Sequence, residues 1–197
     1  MSDIQSFQAL ISTITDAIGN RTLDKGLQQG LNEQFPYDGD VAQAIRQTCA
    51  QGMAQGWMGR HEHRGLRYGR VIEPCTPLNG YSVDVVDMND IAGPHHRHPG
   101  GEIDHAPKRK PRRSWRGQAR PYQCGAKGAP ALWRRSSGHK AGVLHFIMPV
   151  DPLARFDGQG AGWLVYGPDS AHSPTVTQGR ALILYLLPRG EIEFTRR

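Results

Sequence analysis

Past Trp57 the chain changes its grammar, and that change limits the folds open to it. The apolar residues then come in short runs, "LRYGRVIEP", "GYSVDVVDMND", "ARFDG", "GWLVYGP", "SPTVT", "RALILYLLP" and "EIEF". They are rich in β-branched and aromatic residues and are cut by Gly, Pro, Asn or Asp, as in an antiparallel sandwich or barrel. Before Trp57 the period is helical. In "DIQSFQALISTITDAIG", Phe7, Leu10, Ile11, Ile14 and Ile18 share a face and Gly19 suits a stop. "TLDKGLQQGLNEQF" repeats the stripe with Leu23, Leu27 and Leu31, with Thr22 as the expected N-cap. "DVAQAIRQTCAQGMAQGW" aligns Val41, Ile45, Cys49 and Met53 behind Asp40 as cap. Three such stripes need a surface to bury them. The expected organisation is a helical segment over residues 1–60 packed on a β-barrel over residues 61–197.

One block fits neither grammar. Residues 105–146 lack periodicity, are interrupted by Pro and Gly, and crowd basic residues together. From His105 to Val150 there are 11 Lys or Arg and no Asp or Glu, leaving 13 basic and 18 acidic residues elsewhere. The formal charge of +6 is therefore a property of this block, which reads as a disordered insert in the barrel. Trp115, Tyr122 and Trp133 among its arginines keep a nucleic-acid contact open as a minor alternative. Three widely spaced cysteines, Cys49, Cys75 and Cys124, do not suggest a disulfide framework. No apolar run approaches the roughly 20 residues of a membrane span and no secretory signal is visible, so the expected location is cytoplasmic.

The chemistry concentrates in "GPHHRHPGGEID", residues 93–104. On a strand His96 and His98 point the same way, because side chains alternate with period two. His95 then faces the opposite side. "PGG" reads as a turn that folds Glu102 back beside the two imidazoles. Two neutral nitrogens and a carboxylate make a divalent-metal site lacking a fourth ligand. His172, just past the turn in "GWLVYGPDSAH", can supply it. "RHEHRG" holds a second pair, His61 and His63, read as solvated.

"HHRHPGGE" resembles the first cupin motif, and "GWLVYGPDSAH" the second, with its Gly, Pro and His. The implied fold is mainly β with N-terminal helices, a cupin-type double-stranded β-barrel holding a divalent metal in its mouth. "GYSVDVVDMNDIAGPHHRHPGGEID", "IMPVD", "ARFDGQGAGWLVYGPDSAHSPTV" and "GRALILYLLPRGEIEF" together resemble the 4-hydroxylaminobenzoate lyase family, with residues 105–146 as a stretch that does not match. That resemblance implies conversion of 4-hydroxylaminobenzoate to 3,4-dihydroxybenzoate and ammonia. The metal ligands are then His96, His98, Glu102 and His172, with Glu102 and His172 also catalytic. A small aromatic carboxylate wants an arginine fork. Arg70 is favoured and Arg155 is its rival, while strand phase offers Tyr166 and Tyr185 to the pocket. Another metal-dependent cupin enzyme, a dioxygenase or isomerase, stays open, because the same ligands serve many reactions. A homo-oligomer is also left open.

Overall fold

The structure, a computed structural model, describes residues 2–98, 122 and 142–195. Three helices come first: α1 (Asp3–Ile18), α2 (Lys25–Gln34) and α3 (Asp40–Gln55). The strands follow as β1 (His61–His63), β2 (Leu66–Ile72), β3 (Tyr81–Asn89), β4 (His96–Arg97) and β5 (Val143–Pro149). Then come β6 (Arg155–Phe156), β7 (Gly162–Tyr166), β8 (Ala171–His172), β9 (Val176–Thr177), β10 (Arg180–Pro188) and β11 (Glu193–Phe194). No described helix is long and apolar enough to cross a membrane.

The helical stripes are buried as their spacing requires. Phe7, Ile11, Ile14 and Ile18 of α1 and Leu27 and Leu31 of α2 are almost wholly inaccessible. Each such side chain contributes about 1.5–3 kcal/mol relative to exposure. Two caps differ from expectation. α2 starts after Asp24, not Thr22, because the Asp24 carboxylate accepts from the Leu27 amide at 2.9 Å. α3 is capped by Gly39, with Asp40 inside its first turn.

The main sheet has the order β1-β2-β3-β10-β5-β7, and its neighbours pair antiparallel. One face, including Val83, Val85, Leu144, Phe146, Trp163, Leu184 and Leu186, packs with the helical stripes. The other, including Val143, Ile147, Leu164, Ile183, Tyr185 and Leu187, closes on Phe156 of β6 and Val176 of β9. Burial on both faces explains why "ALILYLLP" and "VLHFIM" lack alternation. Smaller sheets, β11-β4-β8 and β6-β9, complete the β region. The fold is mainly β with N-terminal helices and is consistent with a cupin-type double-stranded barrel. The exposed edge of β7 is covered by α2. Asn32 pairs with both the amide and the carbonyl of Trp163 at 2.9 Å, and the Gln28 side chain accepts from the Val165 amide. An open strand edge would template association.

The boundary of the basic block needs correcting. Val143–Phe146, assigned above to the 105–146 insert, open β5 and are fully buried. Their run was masked by the basic stretch before it and by a histidine in its middle. Gly142 is packed as well, since a Cβ there would sit 2.5 Å from the Tyr166 carbonyl oxygen. The block also touches the barrel at Tyr122, whose amide donates to Val71 and whose carbonyl accepts from Glu73. Cys75 is disulfide-bonded, contrary to the expectation from cysteine spacing, whereas Cys49 is a free buried thiol. Spacing along the chain carried no sign of it, because only folding sets which thiols meet. The remainder of the block, and with it the turn at 99–101 and Glu102, lies outside the described residues.

Candidate metal centre and active site

β4 pairs with β8 so that His96 stands directly opposite His172. Opposite residues share a face, and His98 joins them by period two. The pairing runs on past β4, with the His98 amide donating to Ser170 and the Asp169 amide donating to His98. The three rings converge. His96 Nε2 lies 3.1 Å from His98 Nε2, which lies 3.4 Å from His172 Nε2. Ligand atoms about 2.0–2.1 Å from one tetrahedral ion sit about 3.4 Å apart, so these two spacings are those of neighbouring ligands of one metal ion. This is the group that could hold a metal ion among the described residues.

The outer nitrogens determine what the inner ones present. His96 Nδ1 is 3.2 Å from the Pro94 carbonyl oxygen, and His172 Nδ1 is 2.7 Å from Asp157 Oδ2. Both partners can only accept, so both Nδ1 atoms carry protons and both Nε2 atoms direct lone pairs inward. His98 could donate from Nε2 to only one of them. Converging lone pairs repel unless a cation lies between them, and that is the fit of this site to a divalent metal.

Asp157, not singled out in the sequence, holds the arrangement from behind. Besides His172, it accepts from Tyr166 Oη at 2.8 Å and from the Thr175 amide at 2.7 Å. Burial alone would raise its pKa, but the hydrogen bonds from His172, Thr175 and Tyr166 outweigh that and hold it below the ordinary value. A carboxylate behind a ligating imidazole fixes the tautomer and increases ligand basicity. Its only trace in the sequence is the Asp of "ARFDG", two residues beyond the expected Arg155.

Burial, and then His172, lowers His96 to about 4, while burial, His96 and His172 lower His98 to about 3. Both rings therefore stay neutral in the folded protein while a solvated histidine takes up a proton near pH 6.5. The unfolded chain then binds more protons, so stability of the metal-free protein is expected to fall as pH drops below about 6.5. The limiting slope is about 1.4 kcal/mol per pH unit per histidine. Thermal melts at pH 7, 6 and 5 after chelation check this, and a flat Tm would show that the rings are not desolvated as described.

The main sheet carries a polar row across its inner face. Arg70 stands opposite Asp84, Asp84 opposite Tyr185, Tyr185 opposite His145, and His145 opposite Leu164. The Arg70 guanidinium is engaged. It donates to Asp84 at 2.8 and 3.4 Å, to Glu73 at 3.3 Å and to the Gly190 carbonyl at 2.9 Å. Burial raises the Asp84 pKa in spite of Arg70, so this carboxylate depends on its partner. Arg70→Ala is expected to cost about 2 kcal/mol by urea denaturation, between the values for exposed and buried pairs. Unchanged stability would mean that the pair is dispensable and the arginine free for a ligand. Arg155 is exposed, with its neighbour Phe156 turned inward.

Tyr166 and Tyr185 do lie at the site, with ring centroids 5.5 and 4.4 Å from His145. The Tyr166 ring also packs, tilted, 4.5 Å from that of His172. His95 turns away and pairs with Thr195. His61 and His63 sit on the edge strand β1, away from the cluster. His145, like Asp157, was missed by sequence reasoning, because it fell inside the block set aside as an insert.

Antiparallel sheets carrying three inward histidines, one backed by a carboxylate, are consistent with the cupin class and with a centre that could hold a metal. The profile of the 4-hydroxylaminobenzoate lyase (PnbB) family matches residues 9–127 and 130–194, so it covers the basic block except for residues 128 and 129 and overturns the expectation that residues 105–146 do not match. The chain belongs to this family and is a lyase. It is 27% identical over 183 residues to a 4-hydroxylaminobenzoate lyase of Pseudomonas putida, covering 90% of this chain and 87% of that one. It is 25% identical over 184 residues to one of Nocardioides sp. (strain LMS-CY), covering 89% and 85%. No solved structure matches significantly.

Proposed function

We propose that this protein converts 4-hydroxylaminobenzoate and water to 3,4-dihydroxybenzoate and ammonia, at a divalent metal held by His96, His98, His172 and Glu102. The observation that carries this reading is the convergence of three Nε2 atoms in a chain of this family. The bound ion would supply a Lewis acid and a positive charge beside the departing oxygen. The substrate N–O bond breaks with hydroxide leaving, and water adds to the adjacent ring carbon. The resulting imine is hydrolysed to release ammonia, and loss of the ring proton restores aromaticity.

The protein's own groups hold the substrate and move protons. Tyr166, donating to Asp157, keeps its oxygen lone pairs free to accept from the hydroxylamino group. Tyr185 lines the apolar floor, and Glu102 is the group assigned to proton transfer. The substrate carboxylate is assigned to Arg70, with Glu73 as the partner it would displace, or to Arg155. Arg155→Ala raising KM with stability unchanged would assign it to Arg155. The test of the whole reading is incubation with 4-hydroxylaminobenzoate before and after chelation, following ammonia and the catechol. Equal amounts of both, lost on chelation and restored by a divalent metal, are expected. A metal-replete protein that releases neither overturns it.

A further inference from the structure

We infer that His145 touches the substrate, its ring nitrogens forming the polar anchor at the floor of the pocket for the group held at the three-histidine centre. This deepens the reading just proposed and rests on it.

His145 is fully buried, yet among the described residues neither Nδ1 nor Nε2 has a hydrogen-bond partner. A buried imidazole normally satisfies both nitrogens, and one left unsatisfied destabilises the fold unless something else answers it. Its neighbours are the rings of the histidine centre and two further aromatic side chains. Its ring lies 5.9 Å from that of His172 and 6.4 Å from that of His98. Phe156 and Tyr185 flank it at 5.0 and 4.4 Å, offering flat apolar surface suited to an aromatic ring. Its strand register turns it to the inner face of the sheet, toward the histidine centre.

A fourth metal ligand is the obvious alternative, and the geometry disfavours it. The nitrogens of His96, His98 and His172 lie within 4.8 Å of one another, and His145 is not in that group. A group bound at the centre is instead placed to meet a His145 nitrogen, which would be the first partner that nitrogen has.

The test compares wild type with His145→Phe, which keeps the ring and its burial and removes both nitrogens, and His145→Gln, which restores a polar group. Four quantities are read: metal content, Tm, affinity for 3,4-dihydroxybenzoate by calorimetry, and kcat/KM. For His145→Phe we expect full metal content and a Tm equal to or above wild type. Catechol affinity should fall at least about tenfold and kcat/KM about 100-fold, the scale of one or two lost buried hydrogen bonds. His145→Gln should recover part of the affinity. Normal catechol affinity in either variant overturns the inference, as does a lower Tm with unchanged affinity, the signature of a packing role. Loss of metal would make His145 a ligand and also overturn it. If His145→Phe does not fold, His145→Gln, expected to fall between wild type and no binding, decides by the same criteria. A wild type that binds the catechol without turning over 4-hydroxylaminobenzoate sinks the proposed reaction alone, and the binding and stability comparison still judges His145.

Discussion

Replacing His172 with alanine is expected to lower kcat/KM at least about 1000-fold, some 4 kcal/mol of transition-state stabilisation, and to leave cooperative unfolding intact. The ring supplies one of three converging nitrogens, and among the described residues no further ligand joins that group. It sits on β8, a two-residue strand at the rim, partly exposed and outside the apolar clusters that hold the sheets and helices together. The change therefore removes a ligand and not a packing element. Metal content measured beside activity should fall with it, and excess metal should restore only part of the rate. An inactive variant that also loses cooperative unfolding would show that the histidine centre holds the fold together. A variant retaining full activity would place the chemistry elsewhere.

The second large effect falls on a residue that touches neither metal nor substrate. Asp157→Asn keeps the shape of the side chain but replaces one oxygen by an NH2 group. Oδ2 accepts from His172 and Tyr166, and Oδ1 accepts from the Thr175 amide. If the new NH2 faces His172, two donors oppose each other, and the ring is driven to move its proton to Nε2. That withdraws a lone pair from the centre. If the amide flips, the Thr175 donor is stranded instead. Loss of such a backing carboxylate typically weakens metal affinity 10–100-fold, and we expect a fall in that range, with kcat/KM falling alongside when metal is limiting. Saturating metal should recover much of the rate in Asp157→Asn and little of it in His172→Ala, which separates positioning from ligation. Equal metal affinity in Asp157→Asn and wild type would remove Asp157 from the site's design.

Local rules carried much of this protein. Helical spacing placed Phe7, Ile11, Ile14 and Ile18 on one buried stripe, because 3.6 residues per turn leaves few choices. Strand alternation put His96 and His98 on one side and His95 on the other, for an equally local reason. The turn after "GWLVYGP" pointed to His172, and the likeness of the motifs pointed to the family.

What tertiary structure decided was which side chains from distant strands meet. His145 is close in sequence to none of its ring neighbours, and its lone polar ring in "VLHFIM" gains meaning only when β5 lies beside β10 and beneath the histidine cluster. Asp157 was one acidic residue in a turn until β6 and β8 brought it to the back of His172. Arg70 is engaged by Asp84 directly across the ladder, and strand register is a long-range property. Helix and strand periods follow from backbone geometry within a few residues. Pairing between strands follows from burying both faces of the sheet at once, and only the folded chain satisfies that condition.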